Sequence, residues 1–122
     1  MELYSDVIYI QATVDDQITD YYFFDYTAEN SYGAAIRSQI VYINGEKYNL
    51  EIGYGERPHL IDYMDSNGVV DETSYQNDLE LYEKVFSARG ALVLFNAGFT
   101  SHNNLNLKKS EVYPAQKIMA KI

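Results

Sequence analysis

Cysteine and tryptophan are absent from this chain of 122 residues, and proline occurs only twice. Without cysteine the protein has no disulfide bond, no thiolate metal site and no cysteine nucleophile. Seven glycines and two prolines are too few for a low-complexity or collagen-like chain. Long apolar runs are missing as well, since the longest one near the start is Val7 to Ile10, far shorter than a membrane-spanning helix. The sequence therefore predicts no membrane association.

The composition is that of a folded domain. Hydrophobic residues make up 47% of the chain and charged residues 22%, and the length suits one hydrophobic core. We therefore predict a single globular domain over residues 1–122. The first residues are acidic and are not followed by the apolar stretch of a secretory signal, so we expect a cytoplasmic protein.

Charges of the two signs are unevenly distributed. Residues 1–36 contain seven acids and no base, and residues 37–83 contain ten acids and three bases. Residues 84–122 contain six bases and one acid, and the net charge is −9. This excess repels polyanions, so we expect no direct binding of nucleic acid. It favours a basic protein surface as partner, such as that of a nucleic-acid-binding protein. The other interpretation is that the acids are solvated and maintain solubility.

Alternating apolar residues and turn motifs predict a β-rich fold. Asp15-Asp16-Gln17 is the predicted turn between the two arms of a hairpin, and residues 27–33 are expected to form a loop. Asn44-Gly45 is the strongest local signal, because a two-residue type I′ turn needs positive φ at both positions. The predicted strands are residues 5–14, 18–26, 40–43, 46–52, 91–96, 105–113 and 115–122.

One helix is predicted near residues 73–88. Leu79, Tyr82 and Phe86 recur at helical spacing, and acids at the start with bases at the end complement the helix dipole. Gly90 is expected to terminate this helix, and the apolar run that follows predicts a buried central strand. Together the elements predict an α+β fold, a mostly antiparallel β-sheet or sandwich of about seven strands with one helix.

Motifs of the common catalytic and cofactor-binding classes are missing. The sequence contains no Gly-x-Ser-x-Gly, no G-x-G-x-x-G and no P-loop. The two histidines, His59 and His102, lack the spacing of a zinc site. Nothing distinguishes one pair among the eighteen acids as the two carboxylates of a glycosidase. We therefore predict that the protein is not an enzyme and uses no metal and no cofactor.

The segment Asp65 to Glu72 has part of the pattern of a calcium-binding loop. With Gly68 as the sixth residue of such a loop, Tyr63 and Ser74 occupy the first and last ligand positions, where carboxylates are needed. The alternative interpretation is a turn that leads into the acidic start of a helix.

Tyrosine is unusually frequent, with thirteen residues, twelve of them within residues 1–82. Alternate residues of a strand face opposite sides, so Tyr22 and Phe24 share one face of the second strand. Tyr21 and Phe23 share the other face. If one aromatic face is exposed, it marks an interaction surface. We predict a partner-binding surface of acids and tyrosines made of Asp15, Asp16, Asp20, Tyr21, Tyr22, Asp25 and Tyr26, with a second patch made of Asp62, Asp65, Asp71 and Glu72.

A small-ligand site is the alternative. Asparagine and histidine in the loop 98–104 offer hydrogen bonds to a sugar, and Lys108-Lys109 offers charge to the phosphate of a nucleotide. The candidate ligand-binding residues are Arg89, Phe99, His102, Asn103, Lys108 and Lys109.

Three hypotheses for the function follow. The first is a small acidic, tyrosine-rich protein that blocks or sequesters a basic partner, as an inhibitor, an immunity protein or a phage anti-defence protein does. The second is a β-rich module that binds a sugar or a nucleotide. The third is a self-assembling structural component, a homo-oligomer such as a viral or phage shell protein.

Overall fold

A computed structural model describes residues 2–3, 6–29, 31–50 and 57–114. These residues form an α+β fold with one long helix and a mostly antiparallel sheet, which confirms the predicted fold class. The elements are β1 Glu2–Leu3, β2 Val7–Val14, β3 Gln17–Glu29, β4 Ala35–Ile43, β5 Glu46–Asn49, a 3-10 helix Leu60–Tyr63, α1 Glu72–Ala97, β6 Ser101–His102 and β7 Leu105–Tyr113.

Within the described residues the sheet has seven strands in the order β5-β4-β3-β2-β7-β6, with the short β1 also paired to β3. Strands β2 to β5 are consecutive hairpins, as expected for an antiparallel sheet. After the helix, β7 returns to pair with β2 through a register shift between Gln11 and Ala12. The sheet is therefore completed by the last described part of the chain.

Two tight turns set the register of the hairpins. Asp15 and Asp16 have φ of 49° and 65°, and Asn44 and Gly45 have φ of 48° and 88°. Positive φ at both central residues is the requirement of a type I′ turn, which matches the twist of the flanking strands. Both predicted turns are thus confirmed, including the one inferred from Asn44-Gly45.

The helix is longer than predicted. It continues through Gly90 to Ala97, so the predicted terminator at Gly90 and the predicted strand over residues 91–96 are both wrong. A short apolar run does not distinguish a buried strand from a buried helical segment. The helix ends at Gly98, where φ is 78° and the N–H donates to Phe95 O, while Phe99 N donates to Leu94 O. This is the pattern of a Schellman C-cap.

Other boundaries also differ from the sequence-based expectation. Strand β4 begins at Ala35, where a start at residue 40 is predicted. The strand β3 extends to Glu29 by pairing with β4, where a loop over residues 27–33 was expected. The two-residue strand β6 lies inside the segment expected to be a loop. Local composition predicts these strands too short or not at all, because pairing with a neighbouring strand extends a strand beyond its apolar residues. The predicted strand over residues 115–122 lies outside the described residues.

The helix packs on one face of the sheet and forms the core with it. Small side chains at the contact let the helix lie close to the strands, since Ala88 and Ala91 are both fully buried. Gly90 belongs to the same contact, because a Cβ there would lie 3.3 Å from Leu105 Cδ2. The buried cluster comprises Ile10, Ala12, Tyr21, Phe23, Val41, Ile43, Leu50, Val85, Ala88, Ala91 and Leu105.

Two glycine substitutions are expected to have opposite effects. Gly90→Ala should stabilise the protein by about 0.5 kcal/mol, because alanine favours a helix interior and only the end of the Leu105 side chain must move. Gly98→Ala should destabilise it by about 1 kcal/mol, because φ there is 78°. Chemical denaturation measures both, and reversed signs would show that the helix ends at Gly90 after all.

Candidate functional site

The face of the sheet opposite α1 carries a row of aromatic side chains. Tyr22 on β3 pairs with Tyr9 on β2 and with Tyr42 on β4, which places the three tyrosines side by side. Both described helices lie on the other side, since α1 packs on the core and the 3-10 helix contacts α1. We call this surface the open face, and its members are Tyr9, Tyr22, Phe24, Tyr42, Tyr113, Asp20, Lys109 and Glu111. Its exposure is uneven, since Tyr22 is 37% exposed and Tyr9 only 8%.

Asp20 is the polar centre of the open face. Its Oδ1 accepts hydrogen bonds from Tyr9 Oη at 2.6 Å and from Gln11 Nε2 at 3.2 Å. The Tyr9 ring lies 4.7 Å from the Tyr22 ring, centre to centre. The hydrogen bond to the Asp20 carboxylate, together with burial, raises the pKa of Tyr9 to about 12. Tyr9 is thus held as a neutral phenol beside an acceptor carboxylate.

Lys109 of the same chain lies close to the Tyr9 ring and to a carboxylate of the open face. Lys109 Nζ is 6.0 Å from the centre of the Tyr9 ring and 3.8 Å from Glu111 Oε1. Glu111 in turn accepts a hydrogen bond from the Tyr113 hydroxyl, which raises the pKa of Tyr113. The open face therefore has the geometry to receive a cation between a ring and a carboxylate.

Pairs of a tyrosine hydroxyl and a carboxylate recur over the described surface. In the pair Tyr48–Glu46 a lysine also lies beside the tyrosine ring, since Lys84 Nζ is 5.7 Å from the centre of the Tyr48 ring. The described residues contain four such pairs, Tyr9–Asp20, Tyr48–Glu46, Tyr63–Asp78 and Tyr113–Glu111. Each tyrosine fixes one carboxylate oxygen by a charge-assisted hydrogen bond and leaves acceptor capacity for a further donor.

The structure separates the predicted residues of the first patch. Asp20 and Tyr22 lie on the open face, where Tyr22 is 37% exposed. Tyr21 does not belong to a surface, because it is 1% exposed in the core beneath α1, where burial raises its pKa to about 12. This corrects its inclusion in the partner-binding set. Asp25 lies half-buried on the same side of β3 as Tyr21, and only the backbone of Tyr26 is described.

The turn that joins β2 to β3 carries the other two predicted acids. Asp15 and Asp16 are both exposed at this end of the sheet. Asp15 is tied to the β6–β7 turn, because its Oδ1 accepts from Asn104 Nδ2 at 2.5 Å. The turn therefore sits at the end of the two strands that form the centre of the open face.

The second predicted acidic patch has local structural roles. Asp65 Oδ1 accepts from the backbone N–H groups of Asn67 and Val69, at 2.8 and 3.0 Å. Asp71 caps α1 by accepting from Ser74 N at 3.1 Å, and this hydrogen bond lowers the pKa of Asp71. These contacts agree with the interpretation of the segment as a turn that leads into a helix.

The two remaining acids of that patch are exposed, Asp62 on the 3-10 helix and Glu72 on the first turn of α1. Tyr63, next to Asp62, donates to Asp78 Oδ2 at 2.6 Å, and this hydrogen bond raises the pKa of Tyr63 to about 12. Within the described ranges, no three histidine, aspartate or glutamate side chains are grouped so that they could hold a metal ion.

The residues of the alternative ligand site fall into separate places. Phe99, Lys108 and Lys109 line a depression of about 350 Å³ beside the end of α1. His102 and Asn103 line a different cleft of about 450 Å³. Arg89 is not one of the described residues that line either of these two cavities. The predicted basic patch is therefore not assembled as one site.

The larger cleft lies between α1, the β2–β3 turn and the β6–β7 turn. Arg57 Nη2 lies 3.0 Å from Glu83 Oε1 in this cleft, and the Tyr82 and Phe86 rings stack at 5.8 Å with an angle of 21°. Tyr82 and Phe86 belong to the helical spacing that predicts α1, and Phe86 is 64% exposed. The lining is Asp15, Arg57, Tyr82, Glu83, Phe86, Ser87, Gly90, His102, Asn103, Asn104 and Leu105.

Comparison of the chain with protein-family models, with curated proteins and with solved structures gives no match. The described part of the chain contains no helix that is both long enough and apolar enough to cross a membrane. The chemistry of the open face and of the cleft is therefore the basis for inferring a function.

Proposed function

We propose that this protein is a binding protein that occupies and blocks a basic surface on another protein, through its open face. The observation that carries the proposal is the position of Lys109, which lies over the Tyr9 ring and beside the Glu111 carboxylate. A lysine or arginine of a partner would find a ring beside a carboxylate at the two tyrosine–carboxylate pairs of this face, Tyr9–Asp20 and Tyr113–Glu111.

Charge selects the kind of partner. The net charge of −9 attracts a basic protein and speeds its encounter with the acidic surface. A second copy of the chain carries the same charge, so repulsion opposes a homo-oligomer built through this face, and nucleic acid is opposed for the same reason. Tyrosines such as Tyr22 and Tyr42 supply contact area at low cost in side-chain entropy.

The biological setting that fits this activity is that of an inhibitor, an immunity protein or a phage anti-defence protein. Such a protein acts by covering the basic site that its target uses, for example to hold nucleic acid. It needs no catalytic residue and no cofactor, and a cytoplasmic location would place it beside such a target.

The experiment that tests the proposal begins with capture from the source cells at low and at high salt, identified by mass spectrometry. The captured protein is then purified and its binding measured by calorimetry at several salt concentrations. We expect a basic protein that binds with one-to-one stoichiometry and an affinity that falls as salt rises. Capture of copies of this chain alone, or an affinity of the purified partner that is independent of salt, would contradict the proposal.

A further inference from the structure

The cleft between α1 and the two turns combines carboxylates with an aromatic wall. Two carboxylates, Asp15 and Glu83, line it together with the stacked rings of Tyr82 and Phe86. One cation, Arg57, lies among them. Acids therefore outnumber the permanent cations, and the wall beside them offers π-faces to a bound group.

The chain's own arginine shows what this arrangement accepts. The guanidinium of Arg57 donates from Nη2 to Glu83 Oε1 at 3.0 Å. A planar guanidinium suits both neighbours, since it forms forked hydrogen bonds to carboxylates and stacks on aromatic rings. Both side chains of this ion pair are more than half exposed, so an incoming group can reach the carboxylate.

The volume of the cleft and the charges of the residues that line it both favour a small cationic group. The volume of about 450 Å³ lies at the lower end of the range for small-molecule sites. A smaller cavity of about 280 Å³ is lined by the same Asp15 and Glu83 and adds Glu80 and Lys84. Across the two cavities an anionic ligand would meet three carboxylates and two cations, whereas a cation is attracted by this local excess of acid and by the net charge.

We infer that this cleft binds a guanidinium group, namely an arginine side chain of the basic partner. The inference rests on the proposed function and adds a second, separate anchor to it. The turn at Asp15 connects the strands that form the open face and also lines the cleft, so one partner can contact both. The neutral asparagines of the β6–β7 turn supply further acceptors for the remaining N–H groups.

The direct test uses two small probes and the labelled full chain. N-acetyl-arginine amide is titrated and the backbone amide signals are followed by NMR. N-acetyl-citrulline amide serves as the control, because it has nearly the same shape and no charge. We expect saturable changes at Glu83, Ser87 and His102 with the arginine probe, and at least about fivefold weaker binding of the citrulline probe.

Matched substitutions assign the binding to the cleft. Glu83→Gln should weaken binding of the arginine probe about fivefold, while Glu72→Gln, the same change of charge elsewhere on α1, should alter it by less than about twofold. Phe86→Leu should weaken it about threefold, while Phe99→Leu should have no effect. The two phenylalanines are equally suitable for substitution, since they are 64% and 65% exposed.

The outcomes separate this inference from the proposed function. Changes confined to open-face residues such as Asp20 and Tyr22 would overturn the cleft site and leave the open-face proposal standing. Equal binding of the two probes, or equal loss in Glu83→Gln and Glu72→Gln, would overturn the recognition of the guanidinium. If no signal moves, the cleft is not an arginine site, and the capture experiment still tests the open face independently.

Discussion

Tyr21→Ala and Tyr22→Ala are expected to damage the protein in different ways, although the two residues are neighbours. Tyr21→Ala should lower the free energy of unfolding by about 3–5 kcal/mol, because the ring fills the core between the sheet and α1. Tyr22→Ala should lower it by less than about 1 kcal/mol, because the ring lies on the open face. The same change should weaken binding of the basic partner about thirtyfold, as expected for a tyrosine at the centre of an interface.

Denaturant unfolding and calorimetric titration with the partner measure the two effects. Tyr32→Ala is the matched control for affinity, because Tyr32 is 92% exposed in the turn between β3 and β4 and is not one of the residues that define the open face. It should leave the affinity for the partner unchanged. A Tyr22→Ala variant that folds and binds like the wild type would remove the open face as the binding surface.

Asp20→Asn is expected to have the second largest effect. Asparagine can still accept the hydrogen bond from Tyr9, but it carries no charge for a partner's lysine or arginine. Loss of a charge-assisted contact should weaken partner binding about tenfold. The variant should also lower the pKa of Tyr9 from about 12 towards its ordinary value, because the Asp20 carboxylate is the main cause of the raised pKa.

The difference between the ultraviolet absorbance titrations of the wild type and Asp20→Asn reports the change in this pKa, because the raised pKa values of Tyr21 and Tyr63 are common to both. A raised pKa in the folded state contributes stability below the ordinary tyrosine pKa, and this contribution is lost as the pH rises through the folded value. The wild type should therefore lose stability between about pH 10 and 12, and Asp20→Asn should lose less of it there. Asp16→Asn controls for net charge, and an equal response of the two variants would show that Asp20 has no specific role.

The hairpins and the alternation of side chains were predictable because both depend on local chemistry. Asn44-Gly45 fixed one turn through its tolerance of positive φ, and the period of two assigned Tyr22 and Phe24 to one face of the strand. This alternation does not indicate which face of β3 packs against the helix. The sequence therefore predicts Tyr21 to be a surface residue, although it is 1% exposed and belongs to the core.

The end of the helix was missed for a physical reason. Gly90 has the residue type of a terminator, but it lies inside the helix, where it faces Leu105 across the contact with the sheet. The apolar residues after it continue the helix, and Ala91 is buried against the sheet. A glycine inside a helix and a glycine that ends a helix are the same residue in a sequence, and only the tertiary contacts of the residues that follow distinguish them.

The composition of the surface was predictable, but its assembly was not. The excess of tyrosine and acid suggested a combined surface, and pairs such as Tyr9–Asp20 show that the two residue types do meet. Contacts between residues that are far apart in the chain cannot be recognised from the local sequence pattern. Arg57 and Glu83 are an example, since nothing in their spacing indicates the ion pair that lies in the cleft.

The most direct test of the open face is a map of the partner's footprint on the isotope-labelled chain by NMR, recorded at low and at high salt. We expect the largest changes on β2, β3 and β4, at residues such as Tyr9, Tyr22 and Tyr42, and we expect them to diminish as salt is added. Changes confined to the exposed side of α1, at Phe86 and Val93, or changes that do not respond to salt would contradict this expectation.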